Sequence, residues 1–215
     1  MRMQTSPGQL ALPWWLLCLA ALAPPGLGAD IEVGKIEVGN IEVPVIEVKA
    51  VRNGETFDVE ASAEFDAGIE LAWAVLTDYD RLAEFIPGMH QSRVVSREGH
   101  AVVVDQSGEA SLLFLTFPIQ VRLAIEEQPF DRIESHAISG NFRELSGNYR
   151  LEVNGARLTL RYSGRMTPDF AVPPLIGTLL VRNTAARRFR AMVDEILRRQ
   201  SGRDGAPQEV PAARR

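Results

Sequence analysis

The sequence has few of the residues from which catalytic and metal sites are usually built. Its 215 residues include one cysteine and three histidines, and His90, His100 and His136 lie far apart in the chain. Zinc-ligand spacing of cysteine and histidine is absent, as are a Gly-x-Ser-x-Gly motif and a glycine-rich phosphate loop. We therefore expect no metal site, no cofactor and no catalytic group that a motif would reveal.

Positive charge is also in the minority. The chain has 28 acidic and 23 basic residues and a formal net charge of −5, so the molecule as a whole does not attract nucleic acid electrostatically. We expect no nucleic-acid partner. The hydrophobic fraction of 46% is ordinary for a globular protein, and the chain is long enough for a single domain with a sizeable core.

Residues 1–28 have the pattern of an export signal. The run from Leu10 to Leu22 is almost wholly apolar, and small residues surround a cleavage site after Gly28 or Ala29. An uncleaved membrane anchor is the alternative, but the apolar run is about 13 residues long, shorter than the roughly 20 that a spanning helix needs. Because Cys18 lies in this run, the mature chain would have no disulfide. The pattern predicts an exported protein, periplasmic or secreted.

Residues 29–54 form a leader with a short repeat. Ile-Glu-Val occurs four times at five-residue intervals between Ile31 and Ala50, as IEVGK, IEVGN, IEVPV and IEVKA. Because strand side chains alternate with period two, an odd period cannot keep to one face of a flat strand. Three interpretations stay open: an extended leader that pairs at a sheet edge, a strand that docks onto a partner, and a module for assembly.

The stretch DAGIELAWAVLTDYDRLAEFIPG predicts two short helices separated by a turn. We expect Asp66 to cap the first helix and Asp78 to cap the second, because a carboxylate can accept the free N–H groups of a first turn. Pro87 would end the second helix. Apolar residues recur at three- and four-residue spacing, namely Ile69, Ala72, Trp73 and Leu76 in the first helix and Leu82, Phe85 and Ile86 in the second.

Alternating apolar residues predict about seven antiparallel strands around these helices. The first is Thr56 to Phe65, before the helix pair. We expect Ser111 to Phe117 to be buried on both faces, because it is apolar on both. Arg132 to Phe142 is predicted as one strand, and Asn154-Gly155 as the turn of a hairpin.

A long helix follows the strands, and residues 200–215 are expected to be a disordered tail. The predicted buried stripe is Val172, Leu175, Ile176, Leu179, Ala186, Phe189, Val193, Ile196 and Leu197. The predicted outer face carries Arg182, Arg187, Arg188, Arg190, Arg198 and Arg199 against Asp194 and Glu195. Such a face either is solvated or makes a weak contact with an anionic membrane surface.

The order of elements and three phrases resemble a known family. The phrases are DAGIELAWAVLTDYDRLAEFIPG, ISGNFRELSGNYRLEV and LTLRYSGRMTP, which look like the polyketide cyclase/dehydrase and coenzyme Q-binding branch of the START-like (SRPBCC) superfamily. The resemblance spans about Thr56 to Arg199, so we place the ligand-binding domain at residues 55–199. It implies an α+β helix-grip fold, in which a curved antiparallel sheet surrounds the long C-terminal helix.

The resemblance also implies an apolar cavity between the sheet and the helix, and with it a hydrophobic small-molecule ligand such as a lipid or a quinone. Apolar gaps of this kind are common ligand sites. The residues expected to line the cavity or its mouth are Phe85, Pro87, Met89, Val121, Leu123, Ile125, Leu158, Leu160, Tyr162, Leu179 and Phe189. The alternative for each of them is a place in a packed core.

Two functions fit this interpretation. The first is a binding protein without catalysis, and the second is a polyketide cyclase or dehydratase-like enzyme that uses the same cavity. For the enzyme, the best acid–base candidate is His136, acting with either Tyr162 or Arg161, which lie on opposite faces of one strand. A solvent-exposed histidine is the simpler explanation of His136, and we expect no catalytic residues.

Overall fold

The computed structural model describes residues 44–112 and 114–204. Three α-helices in this part are α1 (Ile69–Leu76), α2 (Leu82–Phe85) and α3 (Pro174–Asp204), and a 3-10 turn at Tyr79–Arg81 joins α1 to α2. The strands are β1 (Ile46–Asn53), β2 (Thr56–Phe65), β3 (Met89–Glu98), β4 (Ala101–Leu112), β5 (Leu115–Gln128), β6 (Arg132–Gly140), β7 (Phe142–Asn154) and β8 (Arg157–Pro168).

The eight strands of the described residues form one antiparallel sheet in the order β1-β2-β8-β7-β6-β5-β4-β3. The sheet is curved and unclosed, and α3 packs on it, as expected for a helix-grip fold. Four register shifts interrupt the ladders, with the extra residues in β3, β6 and β7, and such bulges bend a strand and increase its twist. The α+β prediction is therefore confirmed, with one strand more than the expected seven.

The additional strand, β1, comes from the predicted leader. Its residues Ile46 to Val48 are the fourth Ile-Glu-Val copy, and they pair with β2 at the edge of the sheet. The two apolar residues are half-buried and Glu47 is exposed, so this copy follows ordinary period-two alternation. The sheet thus begins before the predicted boundary at residue 55. The other copies and the predicted export signal lie outside the described residues.

The core explains why β2 was predicted with its observed bounds. Its alternate residues are 5% exposed or less, and the last three of them belong with residues of α1, α3 and β8 to one apolar cluster. Burial of apolar area at about 25 cal/mol per Å² makes such a cluster the main stabilising element of the fold. The β2 residues concerned are Phe57, Val59, Ala61, Ala63 and Phe65.

Both predicted helix caps are corrected by the structure. Gly68, not Asp66, holds the N-cap position of α1, and no side chain caps that helix. Asp78 likewise makes no capping bond, because its carboxylate is used in ion pairs with Arg199 at 3.0 Å and Arg81 at 3.6 Å. The tertiary ion pair thus replaces the local capping bond.

Two strand predictions are also corrected. Ser111 to Phe117 is not a strand buried on both faces, because β4 ends at Leu112 and Phe114 is 88% exposed at the connection to β5. The exposed phenylalanine therefore lies in the hairpin between β4 and β5, while Leu112, Leu115 and Phe117 are half-buried. The predicted strand Arg132 to Phe142 is divided, since β6 ends at Gly140 and the 13-residue β7 begins at Phe142.

The buried face of α3 differs from the prediction in its first turns. Leu175 and Leu179 are 97% and 46% exposed. The first half of α3 is apolar on most of its circumference, so periodicity alone could not choose the face that packs inward. The buried residues are Leu180, Thr184, Phe189, Met192, Val193, Glu195 and Ile196. The helix also continues to Asp204, beyond the expected end of the domain.

An ion-pair network anchors the C-terminal half of α3 to the helix pair. The buried carboxylate of Glu195 accepts hydrogen bonds from Arg198 at 2.6 and 2.7 Å and from Arg199 at 2.7 Å. Arg199 in turn donates to Asp78 at 3.0 Å. The hydrogen bonds from Arg198, followed by those from Arg199, lower the pKa of Glu195 to about 2 against the opposing effect of burial.

Replacing Glu195 by glutamine is expected to lower the free energy of unfolding by about 1–3 kcal/mol at pH 7, the usual value of hydrogen bonds to a charged group. A carboxyl with a lowered pKa stabilises the folded state above its unfolded pKa of about 4.3, and the contribution disappears as the pH falls toward 2. Urea titrations at several pH values should show the parent–variant difference shrinking below pH 4.3. A constant difference would contradict the network's role.

Candidate functional site

A cavity of about 280 Å³ lies between the concave face of the sheet and α3. The straight helix contacts the sheet along only part of its length, because the sheet curves away from it. Residues from β2 to β8, from the helix pair and from α3 contribute to the wall. The volume is close to the lower end of the roughly 300–1,000 Å³ typical of ligand pockets, which favours a small or slender ligand.

Most of the wall is apolar. Aliphatic side chains of β5 and α3 face one another across the cavity, and methionine side chains add adaptable surface. The aliphatic and methionine residues on the wall include Leu76, Leu82, Ile86, Met89, Ile119, Val121, Leu123, Ile125, Ile133, Leu145, Met166, Val172, Leu180, Val181 and Met192.

Three phenylalanine rings form a further part of the wall. Phe170 stacks on Phe117 with ring centroids 5.5 Å apart and packs edge-on against Phe142 at 6.2 Å. The three rings come from β5, β7 and the connection between β8 and α3. They therefore join distant parts of the chain beside the cavity.

Six of the predicted residues lie on the cavity wall. Three of them could be predicted from the alternating apolar residues of β5 alone, because every second side chain of a strand faces the same way. The six are Met89, Val121, Leu123, Ile125, Tyr162 and Phe189.

The other five predicted residues lie elsewhere. Leu158 and Leu160 share the inward face of β8 but are fully buried in the packed core, because helices cover that end of the sheet closely. Leu179 is half-exposed on the outer side of α3. Phe85 lies under the Arg199 guanidinium, 5.9 Å from its ring centroid, and the exposed Pro87 contributes its carbonyl oxygen rather than its ring.

Arg188 is the residue that sequence reasoning misplaced. It was predicted on the outer face of the helix, but it lies on the cavity wall. Its Nε donates to the Pro87 carbonyl at 3.3 Å, and its Nη2 donates to the carbonyls of Gly88 at 3.4 Å and Glu109 at 3.0 Å. The sequence did contain an indication of this position. Residues four apart on a helix share one face, and Arg188 lies in such a row with Leu180, Thr184 and Met192.

Two tyrosines lie beside Arg188. Tyr149 on β7 and Tyr162 on β8 are cross-strand partners, with ring centroids 4.7 Å apart. The Tyr162 ring lies against the backbone of Gly147 and Gly164; a Cβ at Gly164 would collide with it, and one at Gly147 would be in tight contact at 3.2 Å. Burial raises the pKa of both phenols, so both remain protonated near neutral pH.

Some of the other polar groups on the wall have hydrogen-bond partners, and one does not. The Ser135 hydroxyl donates to the Gly147 carbonyl at 3.2 Å, and Gln106 donates to Ser92 at 3.2 Å. Thr184 is 9% exposed, and its hydroxyl has no hydrogen-bond partner among the residues that the structure describes. Buried polar atoms are normally paired, so this hydroxyl is available to a bound molecule.

The predicted acid–base candidates do not meet in the cavity. His136 is exposed on β6, whereas its neighbour Ser135 faces the cavity. Tyr162 points inward, and Arg161 on the opposite face pairs with Glu152 at 3.2 Å. Within residues 44–112 and 114–204, no group of three His, Cys, Asp or Glu residues could hold a metal ion.

Comparison with protein families identifies the fold. The model of a family described as "Polyketide cyclase / dehydrase and lipid transport" matches residues 66–193, more than half of the chain. No curated protein matches the sequence.

Solved structures of similar fold include an aromatase/cyclase and a STAR-related lipid transfer protein. An aromatase/cyclase, Zhui from Streptomyces sp. R1128, superposes with a TM-score of 0.59 at 16% identity, over 72% of this chain and 99% of its own. A STAR-related lipid transfer protein from Xanthomonas axonopodis gives 0.58 at 12% identity, over 71% and 93%. Human STARD10 gives 0.58 at 12% identity, over 74% and 72%. At such identities, the likeness concerns the fold.

Proposed function

Because this chain belongs to the polyketide cyclase/dehydrase and lipid transport family and has its START-like fold, we propose that it is a binding protein for a lipid-like or quinone-like molecule. The ligand would lie in the cavity between the sheet and α3. The observation that carries this proposal is the wall itself, on which aliphatic and aromatic side chains greatly outnumber polar ones.

The energetics support an apolar ligand. Each Å² of apolar surface removed from water contributes about 25 cal/mol, so an acyl or isoprenoid chain can bind without many polar contacts. The cavity surface is already formed in the folded protein, which lowers the cost of ordering on binding. Both features suit uptake of a small hydrophobic molecule more than recognition of a polar one.

Cyclisation of a polyketide is the second candidate function. It is favoured by the cluster of Arg188, Tyr149 and Tyr162, whose N–H and O–H donors could polarise a carbonyl group. Acid–base chemistry has less support, because the two phenols have raised pKa values and a general base needs a pKa near the working pH. Turnover of an added polyketone by the parent protein would support the enzyme over the binding protein.

Replacing Ala185 by tryptophan tests the site. Ala185 lies on the cavity wall, so an indole there is expected to fill much of the space and to weaken binding at least tenfold. The measurement is titration with N-phenyl-1-naphthylamine, a neutral apolar fluorescent probe, followed by its displacement with a quinone or a fatty alcohol. Thermal unfolding of the same variant shows whether the fold is retained.

Arg190→Trp is the matched control for this experiment. Arg190 is exposed on the same helix, so the same side chain is introduced away from the cavity, and probe binding should not change. Equal loss in both variants, or undiminished binding in Ala185→Trp with its fold intact, would place the site elsewhere.

Export and membrane contact stay predictions of the sequence. The export signal lies outside the described residues. The basic face is smaller than expected, since Arg188 faces the cavity and Arg199 is held by Glu195 and Asp78. No helix in the described part of the chain is both long and apolar enough to cross a membrane.

A further inference from the structure

Arg188 is a cation on an apolar cavity wall without an acidic partner. Its three hydrogen bonds go to backbone carbonyls, and these neutralise no charge. Among the described residues, no carboxylate forms an ion pair with it, and its Nη1 has no hydrogen-bond partner. Arg188 is half-buried, and a charge that is removed from water without a counter-charge is costly; burial accordingly lowers the pKa of Arg188.

Neutral donors surround the same guanidinium. Thr184 precedes Arg188 by one turn of α3, which places both on one face of the helix. The phenols of Tyr149 and Tyr162 lie on the same cavity wall as Arg188, and neither phenol donates a hydrogen bond to the described residues. One guanidinium N–H pair and three hydroxyls therefore lack acceptors.

We propose that the ligand of this cavity carries a carboxylate that binds to Arg188, with its apolar chain along the β5 side of the wall. This rests on the proposed function, because it specifies the polar end of the molecule that the cavity takes up. A guanidinium can only donate hydrogen bonds, and the N–H groups of Nη1, which have no acceptor among the described residues, can donate to a carboxylate in a charge-assisted hydrogen bond. The Thr184 and tyrosine hydroxyls can donate to the remaining lone pairs.

The charge balance favours a carboxylate over a phosphate monoester. Among the described residues, Arg188 is the one cation on the wall, where the other polar groups are uncharged. The neighbouring cation, Arg187, is exposed to solvent and donates to the Ser111 carbonyl at 3.2 Å, so the wall itself neutralises a single negative charge. A phosphate monoester carries about −1.5 to −2 at pH 7, so part of its charge would stay uncompensated in an apolar cavity. A neutral alcohol, in contrast, would leave the guanidinium unpaired. The site therefore selects a monoanion.

The experiment compares ligands that differ only at one end. Decanoic acid, 1-decanol and decyl phosphate are titrated into the parent protein at pH 7 by calorimetry, with probe displacement as a second measurement. We expect decanoate to bind at least tenfold more tightly than decanol, and more tightly than decyl phosphate. Raising the salt concentration should change this preference little, because the ion pair is buried.

Arg188→Met and Arg187→Gln provide the matched variants. Arg188→Met removes the charge but keeps an apolar stem, so decanoate should lose its advantage over decanol while decanol still binds. Arg187 is the exposed neighbour of Arg188 on the helix, and its loss should leave the preference unchanged. If Arg188→Met does not fold, the comparison of the three ligands in the parent still decides whether the cavity prefers a carboxylate.

The outcomes distinguish failure of this inference from failure of the proposed function. Equal binding of decanoate and decanol would overturn the carboxylate and leave the apolar binding site in place. Tighter binding of decyl phosphate would overturn it in favour of a phosphate. A preference for decanoate that persists in folded Arg188→Met would exclude Arg188 as the partner. Failure of all three ligands to bind would overturn the proposed function and this inference together.

Discussion

Replacing Gly108 by alanine is expected to lower the free energy of unfolding by roughly 2–4 kcal/mol, an effect at the upper end for a single added methyl group. A Cβ at this position would collide with the Gly88 carbonyl oxygen and lie 3.0 Å from the Met89 Cα. Both neighbours are backbone atoms, which cannot move aside as a flexible side chain can. Urea denaturation measures the loss directly.

The effect should extend to the cavity. The Gly88 carbonyl that the methyl group would displace accepts hydrogen bonds from the Glu109 N–H at 2.7 Å and from Arg188. Gly88 itself has a φ of +71°, a conformation that favours glycine, so the chain has little freedom to adjust. We therefore expect Gly108→Ala to weaken ligand binding as well as the fold.

Gly68→Ala is the control for this prediction. Gly68 has an ordinary φ of −68°, and a Cβ there would meet only the Glu70 carboxylate at 3.6 Å. The substitution should change stability by less than about 1 kcal/mol. Similar losses of stability in both variants would contradict the prediction. They would mean that β4 can move away from the end of the helix pair at little cost, so that the close backbone approach at Gly108 does not limit stability.

Replacing Arg97 by methionine is expected to cost about 2–4 kcal/mol, because it leaves a buried carboxylate without its counter-charge. Glu127 is 6% exposed and accepts hydrogen bonds from Arg97 Nη1 and from the Tyr79 hydroxyl, both at 2.9 Å. The Arg97 guanidinium also lies over the Tyr79 ring, 5.8 Å from its centroid. Chemical denaturation at pH 7 gives the magnitude.

Arg122→Met distinguishes this effect from the loss of any arginine. The side chains of Arg97 and Arg122 are almost equally exposed, at 42% and 45%. The side chain of Asp105, the partner of Arg122, is 33% exposed, however, whereas that of Glu127 is 7% exposed. An exposed pair contributes about 0–1 kcal/mol, so Arg122→Met should have a small effect.

A double variant identifies the cause of the larger loss. Glu127→Gln removes the buried charge and keeps an oxygen that can accept from Tyr79. In combination with Arg97→Met it should restore most of the lost stability. A double variant as unstable as Arg97→Met would show that packing of the arginine, and not the unpaired carboxylate, was responsible.

Local elements could be predicted where one face of the chain is buried along its whole length. The prediction of β2 had the observed bounds, and the helix pair and the hairpin at Asn154-Gly155 were found from periodicity and turn chemistry. Prediction failed where a residue serves a distant partner. Asp78 was expected to cap a helix, but it pairs with Arg199, 121 positions further along the chain.

Only part of the site could be predicted, because local patterns again do not record contacts between distant elements. Alternation correctly placed Leu123 on the cavity wall, but it could not separate Tyr162 from Leu160, which lies on the same face of β8 and is packed in the core. The difference between cavity and core depends on how far the sheet has curved away from α3 at each point, and no local pattern records this distance.

The sequence by itself determined the family, the order of elements and the apolar character of the surface that the fold would enclose, because these depend on residue types and their spacing. Only the tertiary structure decided which side of α3 faces the sheet. Its first half is apolar on most sides, so the choice depends on the curvature that strand pairing imposes. That choice exposes Leu179 and places Arg188 in the cavity, where one cation defines the polar end of the candidate site.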